Sequence, residues 1–187
     1  MTVVGVLSDT HGHLYSAIKR MLEGVDHIIH AGDVGSPHVL AELRTIAPVT
    51  AVRGNCDDGA WAQSLPARAE VELGGVRILV GHVAGRLGDE VASGGPGAPG
   101  ARSAGQRGDF AVIISGHSHV ASIEKRDGVL HLNPGSAGPR RFGRPRTVAR
   151  LEIDPVCTPT GGRVGSDRDA APRPTVRAEI VVADDKA

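Results

Sequence analysis

Val3-Val4-Gly5-Val6-Leu7-Ser8-Asp9-Thr10-His11 is a run of aliphatic, mostly β-branched residues that stops at a polar turn. Its length and composition predict a buried strand over Val3 to Leu7. Leu14, Ile18, Met21 and Leu22 return at helical spacing, so His13 to Glu23 reads as an amphipathic helix stopped by Gly24. His27 to His30 reads as a second strand, ending at Gly32-Asp33. Pro37 after Ser36 opens a helix with Val39, Leu40 and Leu43 on one face, and Val49 to Val52 is a third strand, ending at Gly54-Asn55. Strand, helix, strand, helix, strand implies right-handed crossovers and a parallel sheet. Ligands of such sheets gather beyond the carboxyl ends of the strands, where Asp9, Asp33 and Asn55 fall.

After Pro66 the pattern changes. Arg68 to Leu73 and Val76 to Val80 flank Gly74-Gly75, and Val120 to Lys125 and Val129 to Leu132 flank Asp127-Gly128; both are hairpin signals. Phe110 to Ser115 is an apolar strand ending at Gly116-His117, and Arg146 to Ile153 and Thr175 to Val182 read as further strands. The second half is therefore expected to form a mixed or antiparallel sheet stacked on the first. Residues 1–154 are expected to form one domain with a Gly-rich insertion at about 85–108, which follows His82 and could overhang a pocket. Residues 155–187 read as a Gly/Pro/Arg-rich loop plus a C-terminal strand, 175–182, of the same domain.

Composition narrows the function classes. Lys plus Arg equals Asp plus Glu at 21 each, and stacking aromatics are scarce, with one Trp, one Tyr and two Phe. Neither gives an electrostatic or stacking case for nucleic-acid binding. Two cysteines, Cys56 and Cys157, make no disulfide framework, and no stretch reaches membrane-spanning length. The expectation is a cytoplasmic protein with no membrane partner.

Five polar islands follow the strand-like runs: Asp9-Thr10-His11, Gly32-Asp33, Gly54-Asn55-Cys56-Asp57, Gly81-His82 and Gly116-His117-Ser118-His119. Alone, each has a bland reading as a helix cap or a turn. Together, Asp9, His11, Asp33, Asn55, His82, His117 and His119 offer oxygen and imidazole donors of the kind a divalent first-row cation accepts. Asp33, a lone carboxylate with two oxygens, suits a bridge between two cations.

The set Asp9-x-His11, Gly32-Asp33, Gly54-Asn55-x-Asp57, Gly81-His82 and Gly116-His117-x-His119 resembles the calcineurin-like metallophosphoesterases, in particular their small phosphodiesterase branch. Cys56 and Asn133-Pro134-Gly135-Ser136 with Arg140 following support that branch, and the resemblance covers about Val3 to Ile153. It implies an α/β fold, a sandwich of two stacked mixed β-sheets flanked by helices. It also implies two divalent metals, manganese first, with nickel, iron or zinc able to substitute. One would be held by Asp9, His11, Asp33 and His119, the other by Asp33, Asn55, His82 and His117, with a bridging hydroxide attacking phosphorus. Many relatives carry His where this chain has Cys56, and the Cys type implies diesters ahead of monoesters. A neutral thiol lining the pocket is preferred to a nucleophile. Relatives often read His-Gly-His where this chain has His82-Val83-Ala84. Aligned on the first His, His82 is the ligand; aligned on the second, that position falls on Val80.

Cys56 and Asp57 are the remaining pocket candidates, and Asn55 and Arg140 the candidates for touching substrate. Asn133 to Arg140 reads equally as a phosphate-facing loop or as a turn that closes the sheet. The basic run Arg140-Arg141-x-x-Arg144-x-Arg146 reads first as a solvated loop. The expected partner is a small phosphodiester, and exposed edge strands leave a homo-oligomer open. A protein-binding scaffold with weak or no catalysis is the rival reading, and a nuclease the lesser one.

Overall fold

A computed structural model describes residues 1–85, 87, 110–141, 143–155 and 174–183. The expectations for the 85–108 insertion and the 155–174 loop fall, apart from Gly85, Leu87, Pro155 and Pro174, outside those residues. The first half runs β1 (Thr2–Leu7), α1 (Ser16–Met21), β2 (His27–His30), α2 (Pro37–Arg44), β3 (Val49–Ala51) and α3 (Gly59–Gln63). The second runs β4 (Arg68–Leu73), β5 (Val76–Gly81), β6 (Val112–Ile114), β7 (Ser122–Arg126), β8 (Val129–Asn133), β9 (Thr147–Asp154) and β10 (Thr175–Val182).

The strands form two five-stranded sheets, ordered β10-β9-β1-β2-β3 and β4-β5-β6-β8-β7. In the first, β1, β2 and β3 are parallel, as the strand–helix alternation predicts, and β9 and β10 extend the sheet antiparallel on the far side of β1. In the second, β5, β6 and β8 are parallel, and β4 and β7 are added by hairpins. The hairpin turns are the expected ones: Gly74 and Gly75 take φ of 57° and 79°, Asp127 and Gly128 take 50° and 83°, the two positive values a type I′ turn demands.

Three local expectations differ from the structure. β9 and β10 belong to the first sheet, not the second. Alternating apolar residues announce a strand with a buried face but carry no record of which sheet supplies its partner. α1 begins at Ser16 rather than His13, because His13 N–H donates to Thr10 O at 3.0 Å in a turn and Tyr15 is extended at φ −71°, ψ 146°. α3 was not expected at all: with five residues it is too short for a period to register.

Apolar residues segregate into layers. Val4, Val6, Ile29 and Leu151 from the first sheet meet Ile78, Val80, Ile114 and Leu132 from the second in the inter-sheet core. The other face of the first sheet packs Leu7 and Ile28 against Ile18 of α1 and Leu40 and Leu43 of α2. Burying one such side chain contributes roughly 1.5–3 kcal/mol, so these two interfaces hold the parallel strands rigidly side by side. On the outer face of the second sheet Leu87 packs over Leu79 and Ile113. The loops leaving β1, β2, β5, β6 and β8 are hydrogen-bonded to one another: Asp9 N–H donates to Gly32 O, Gly116 N–H to His82 O, and Ala137 N–H to Ser8 O, each at 3.0 Å.

Candidate metal centre

The backbone of the islands is unusual. Among the described residues, six that are not glycine have φ in the left-handed region: Asp9 (57°), His11 (47°), Asp33 (53°), His117 (69°), His119 (57°) and the hairpin Asp127. Five of the six are candidate ligands. Each such residue costs about 1–2 kcal/mol against a right-handed alternative, so the surrounding fold must hold them there. Positive φ two residues apart lets Asp9 and His11 leave one short turn toward the same point, and His117 and His119 repeat the device.

Asp9, His11 and His119 bring one donor atom each within 4.8 Å of one another, and so do Asp9, Asp33 and His82. A third group is His11, Asp33 and Cys56. His119 Nε2 lies 3.2 Å from Asp9 Oδ1, and the His11 and His119 rings are 5.4 Å apart. His82 Nε2 lies 3.3 Å from Asp33 Oδ2 and 3.0 Å from Asn55 Oδ1. His117 is exposed at the rim, with its ring 5.2 Å from that of His82. Of the two alignments at β5, the geometry brings His82 to Asp33 and Asn55, while Val80 lies in the inter-sheet core.

The tautomer of His82 follows from its partner. Its Nδ1 is 2.7 Å from Ala31 O, a carbonyl that can only accept, so Nδ1 carries a proton and Nε2 faces the oxygens. Glycine at position 32 permits this: a Cβ there would stand 2.7 Å from His82 Nδ1. Burial alone would lower the His82 imidazole, but the Asp33 carboxylate and the Ala31 carbonyl outweigh it and raise it. Burial likewise would raise Asp33, yet hydrogen bonds from His82 and from Cys56 N–H, the latter at 2.8 Å, hold it well below the usual carboxylate range. Asp9, fully buried, is pushed up by desolvation despite the Ser8 hydroxyl, which donates to its Oδ2 at 2.5 Å. His11 is lowered by burial and by the nearby Arg141 guanidinium.

Four buried polar atoms among the described residues have no hydrogen-bond partner, and three belong to candidate ligands: Asp9 Oδ1, His11 Nε2 and His119 Nδ1. Leaving such atoms unmet costs about 1–3 kcal/mol apiece. One carboxylate and two imidazoles that carry unmet atoms and bring one donor atom each within 4.8 Å of one another fit a divalent cation.

The other expected residues take different places. Both Asp57 carboxylate oxygens are committed to backbone amides, accepting from Gly35 N–H at 2.7 Å and Gly54 N–H at 2.8 Å. Asp57, expected in the pocket, is thus a brace tying the loop after β2 to the loop after β3. Cys56 is exposed, its thiol raised by burial of its sulfur and by the Asp33 carboxylate. The first part of the Asn133 to Arg140 stretch, Asn133 to Ser136, braces the neighbouring loops. Asn133 Nδ2 donates to Gly116 O at 2.8 Å, Ser136 Oγ to Asp9 O at 3.2 Å, and Gly135 N–H is taken by Asn133 Oδ1 at 2.9 Å. Arg140 lies beside His119 on the wall of an adjacent depression. Ser8 and Arg141 were missed as contributors. Ser8 directly precedes the candidate ligand Asp9 in the sequence, and Arg141 was visible only as part of a basic run.

The calcineurin-like phosphoesterase superfamily domain matches residues 1–155. A probable metallophosphoesterase of Methanothermobacter thermautotrophicus is 35% identical over 158 residues, covering 81% of this chain and 86% of that protein. The phosphodiesterase YfcE of Escherichia coli K12 is 31% identical over 178 residues, covering 79% and 85%. Among solved structures, Vacuolar Protein Sorting 29 of Cryptosporidium parvum shares the fold with a TM-score of 0.64 at 20% identity, over 97% of this chain and 98% of that one. The donor set, its position beyond the parallel strands and the match over residues 1–155 lead to one statement: the chain belongs to the calcineurin-like phosphoesterase superfamily and is a phosphoester hydrolase of that class.

Proposed function

We propose that the protein is a phosphodiesterase that works with two divalent cations, manganese foremost. The observation that carries this is the trio of buried, partnerless donor atoms on Asp9, His11 and His119, beside the Asp33–Asn55–His82 group. Asp9, His11, Asp33 and His119 would hold one cation and Asp33, Asn55, His82 and His117 the other, with Asp33 common to both. Bound there, a cation pair supplies Lewis-acid stabilisation of the phosphoryl oxygens and a water acidic enough to attack phosphorus near neutral pH.

The chain's own residues define the rest. Ala31 O fixes the His82 ring so that Nε2 stays aimed inward. Cys56 N–H fixes one Asp33 oxygen. The Asp57 brace keeps the two loops that carry Asp33 and Asn55 at a fixed separation. Cys56, with its thiol raised, remains neutral and is a poor proton donor to a leaving group. Substrates whose leaving group needs little help therefore suit this pocket, and relatives named phosphodiesterase put diesters first. A scaffold role would leave the partnerless donors without a purpose. An exposed free thiol suits a reducing, cytoplasmic setting, and among the described residues no helix is long and apolar enough to cross a membrane.

The test is metal reconstitution followed by turnover of bis-p-nitrophenyl phosphate. Manganese-dependent hydrolysis that is lost on chelation is expected. A protein that binds manganese yet does not hydrolyse diesters would overturn the proposal.

A further inference from the structure

The basic run that reads as a solvated loop in the sequence folds against the candidate centre. Arg140, Arg141, Arg144 and Arg146 surround a small, open depression whose lining also includes His119 and Ser136. His119 is a candidate ligand, and Ser136 Oγ donates to Asp9 O, so the depression and the centre share a wall. Four guanidinium groups within residues 140–146 concentrate positive charge in a chain whose formal net charge is zero.

The four do not do the same job. Arg146 is part of the framework: its Nε donates to Gly138 O at 3.0 Å, and its guanidinium carbon lies 3.6 Å from the Tyr15 ring centroid. Arg141 and Arg144 are exposed and make no ion pair among the described residues. Arg144 N–H donates to Arg141 O at 3.1 Å, so one turn carries both. No acidic side chain is among the described residues that line the depression. A guanidinium presents a planar fork of donors that matches phosphate oxygens, and two on one turn without a counter-ion are matched to an anion from outside.

We infer that this depression receives a second anionic group of the phosphate class, carried by the substrate beside the diester that is cleaved, and that Arg141 and Arg144 select for it. The inference rests on the phosphodiesterase reading and narrows it: the substrate is a diester that bears a further phosphate, rather than a neutral or cationic one. Selection acts through affinity and orientation, so it enters kcat/KM and weakens as salt screens the pair.

A matched pair of substrates tests this. The p-nitrophenyl ester of thymidine 5′-phosphate and the same ester carrying a 3′-phosphate share a leaving group and differ by one anion. The manganese-loaded protein is expected to prefer the phosphorylated ester by about tenfold in kcat/KM. The Arg141→Ala/Arg144→Ala variant is expected to bring the ratio near one, and Arg141→Lys/Arg144→Lys to restore part of it. Reading the ratio cancels any loss common to both esters, including one from imperfect folding. A wild-type ratio near one, or a preference that survives the alanine pair, overturns the inference while leaving the phosphodiesterase intact. Turnover of neither ester by the manganese-loaded wild type defeats that parent reading and takes this one with it.

Discussion

The two halves of the candidate centre solve the same problem differently. Around His82 the donors satisfy one another: Nε2 sits 3.0 Å from Asn55 Oδ1 and 3.3 Å from Asp33 Oδ2, and Asp33 Oδ1 accepts Cys56 N–H. Around His119 there is a single approach, Nε2 to Asp9 Oδ1 at 3.2 Å, and it completes no hydrogen bond. Asp9 Oδ1, His11 Nε2 and His119 Nδ1 have no hydrogen-bond partner, although the first lies fully inside the protein. One half is closed by its own protons and dipoles; the other keeps buried atoms unmet, while strained turns carry ligands in both. The contrast teaches where stability has been given up. Left-handed Asp9, His11 and His119 combine backbone strain with unmet polar atoms, a cost that a bound ligand would reduce.

The largest effect should come from the residue common to both halves. Asp33→Asn is expected to lower manganese-dependent turnover of bis-p-nitrophenyl phosphate by more than about a hundredfold, since even groups that merely orient ligands cost 10- to 100-fold. Steady-state kinetics at saturating manganese reads this directly. Turnover within a few-fold of wild type would remove Asp33 from the centre.

Next comes acid stability of the metal-free protein, which separates the centre from the sheet beneath it. His30 is fully buried on β2, its Nε2 2.9 Å from Thr10 Oγ1, and desolvation lowers its imidazole to about 4. Thr10 Oγ1 itself donates to Val34 O at 2.9 Å, so His30 Nε2 must be the donor between the two. Between that value and the unfolded 6.5, the unfolded chain binds the proton that the folded one refuses. Stability from this group is therefore complete above pH 6.5 and lost as pH falls to about 4, a change of about 3 kcal/mol. Urea unfolding of wild type and His30→Gln across that window should show the smaller slope in the variant. Parallel slopes would assign the acid loss to other groups.

A third comparison sets the halves directly against each other in the metal-free state. His82→Ala strips the partner from Asp33 and Asn55 and should destabilise by about 1–3 kcal/mol. His119→Ala removes one unmet buried atom together with an approach to Asp9 Oδ1 that completes no hydrogen bond, and should cost less. Equal losses by denaturant melts would erase the distinction between a closed half and an open one. The smallest effect is expected at Cys56. Cys56→Ser should keep turnover within the same order of magnitude, because a neutral thiol lines the pocket without attacking; loss by several orders would make it a nucleophile.

The sequence made the centre more legible than the sheets around it. Asp9, Asp33 and Asn55 could be located because β1, β2 and β3 each end in a polar turn, and parallel strands bring such turns to one edge. Both hairpins could be read from Gly74-Gly75 and Asp127-Gly128, where local chemistry alone dictates the turn. Partner choice could not: β9 pairs antiparallel with β1, whose residues lie far away in the chain, and no period encodes that. Nor could the role of Asp57, since an acid after Gly-Asn-Cys looks like a site residue until both oxygens are seen to hold Gly35 and Gly54. Arg141 was hidden for a similar reason. Its approach to His11 depends on the fold of residues that the sequence presents only as charged and proline-rich.

The most direct test of the centre is anomalous diffraction from crystals of the manganese-loaded protein. The account predicts two peaks, one bounded by Asp9, His11 and His119, the other by Asn55, His82 and His117, with Asp33 touching both. A single peak, or manganese bound away from these side chains, would contradict it.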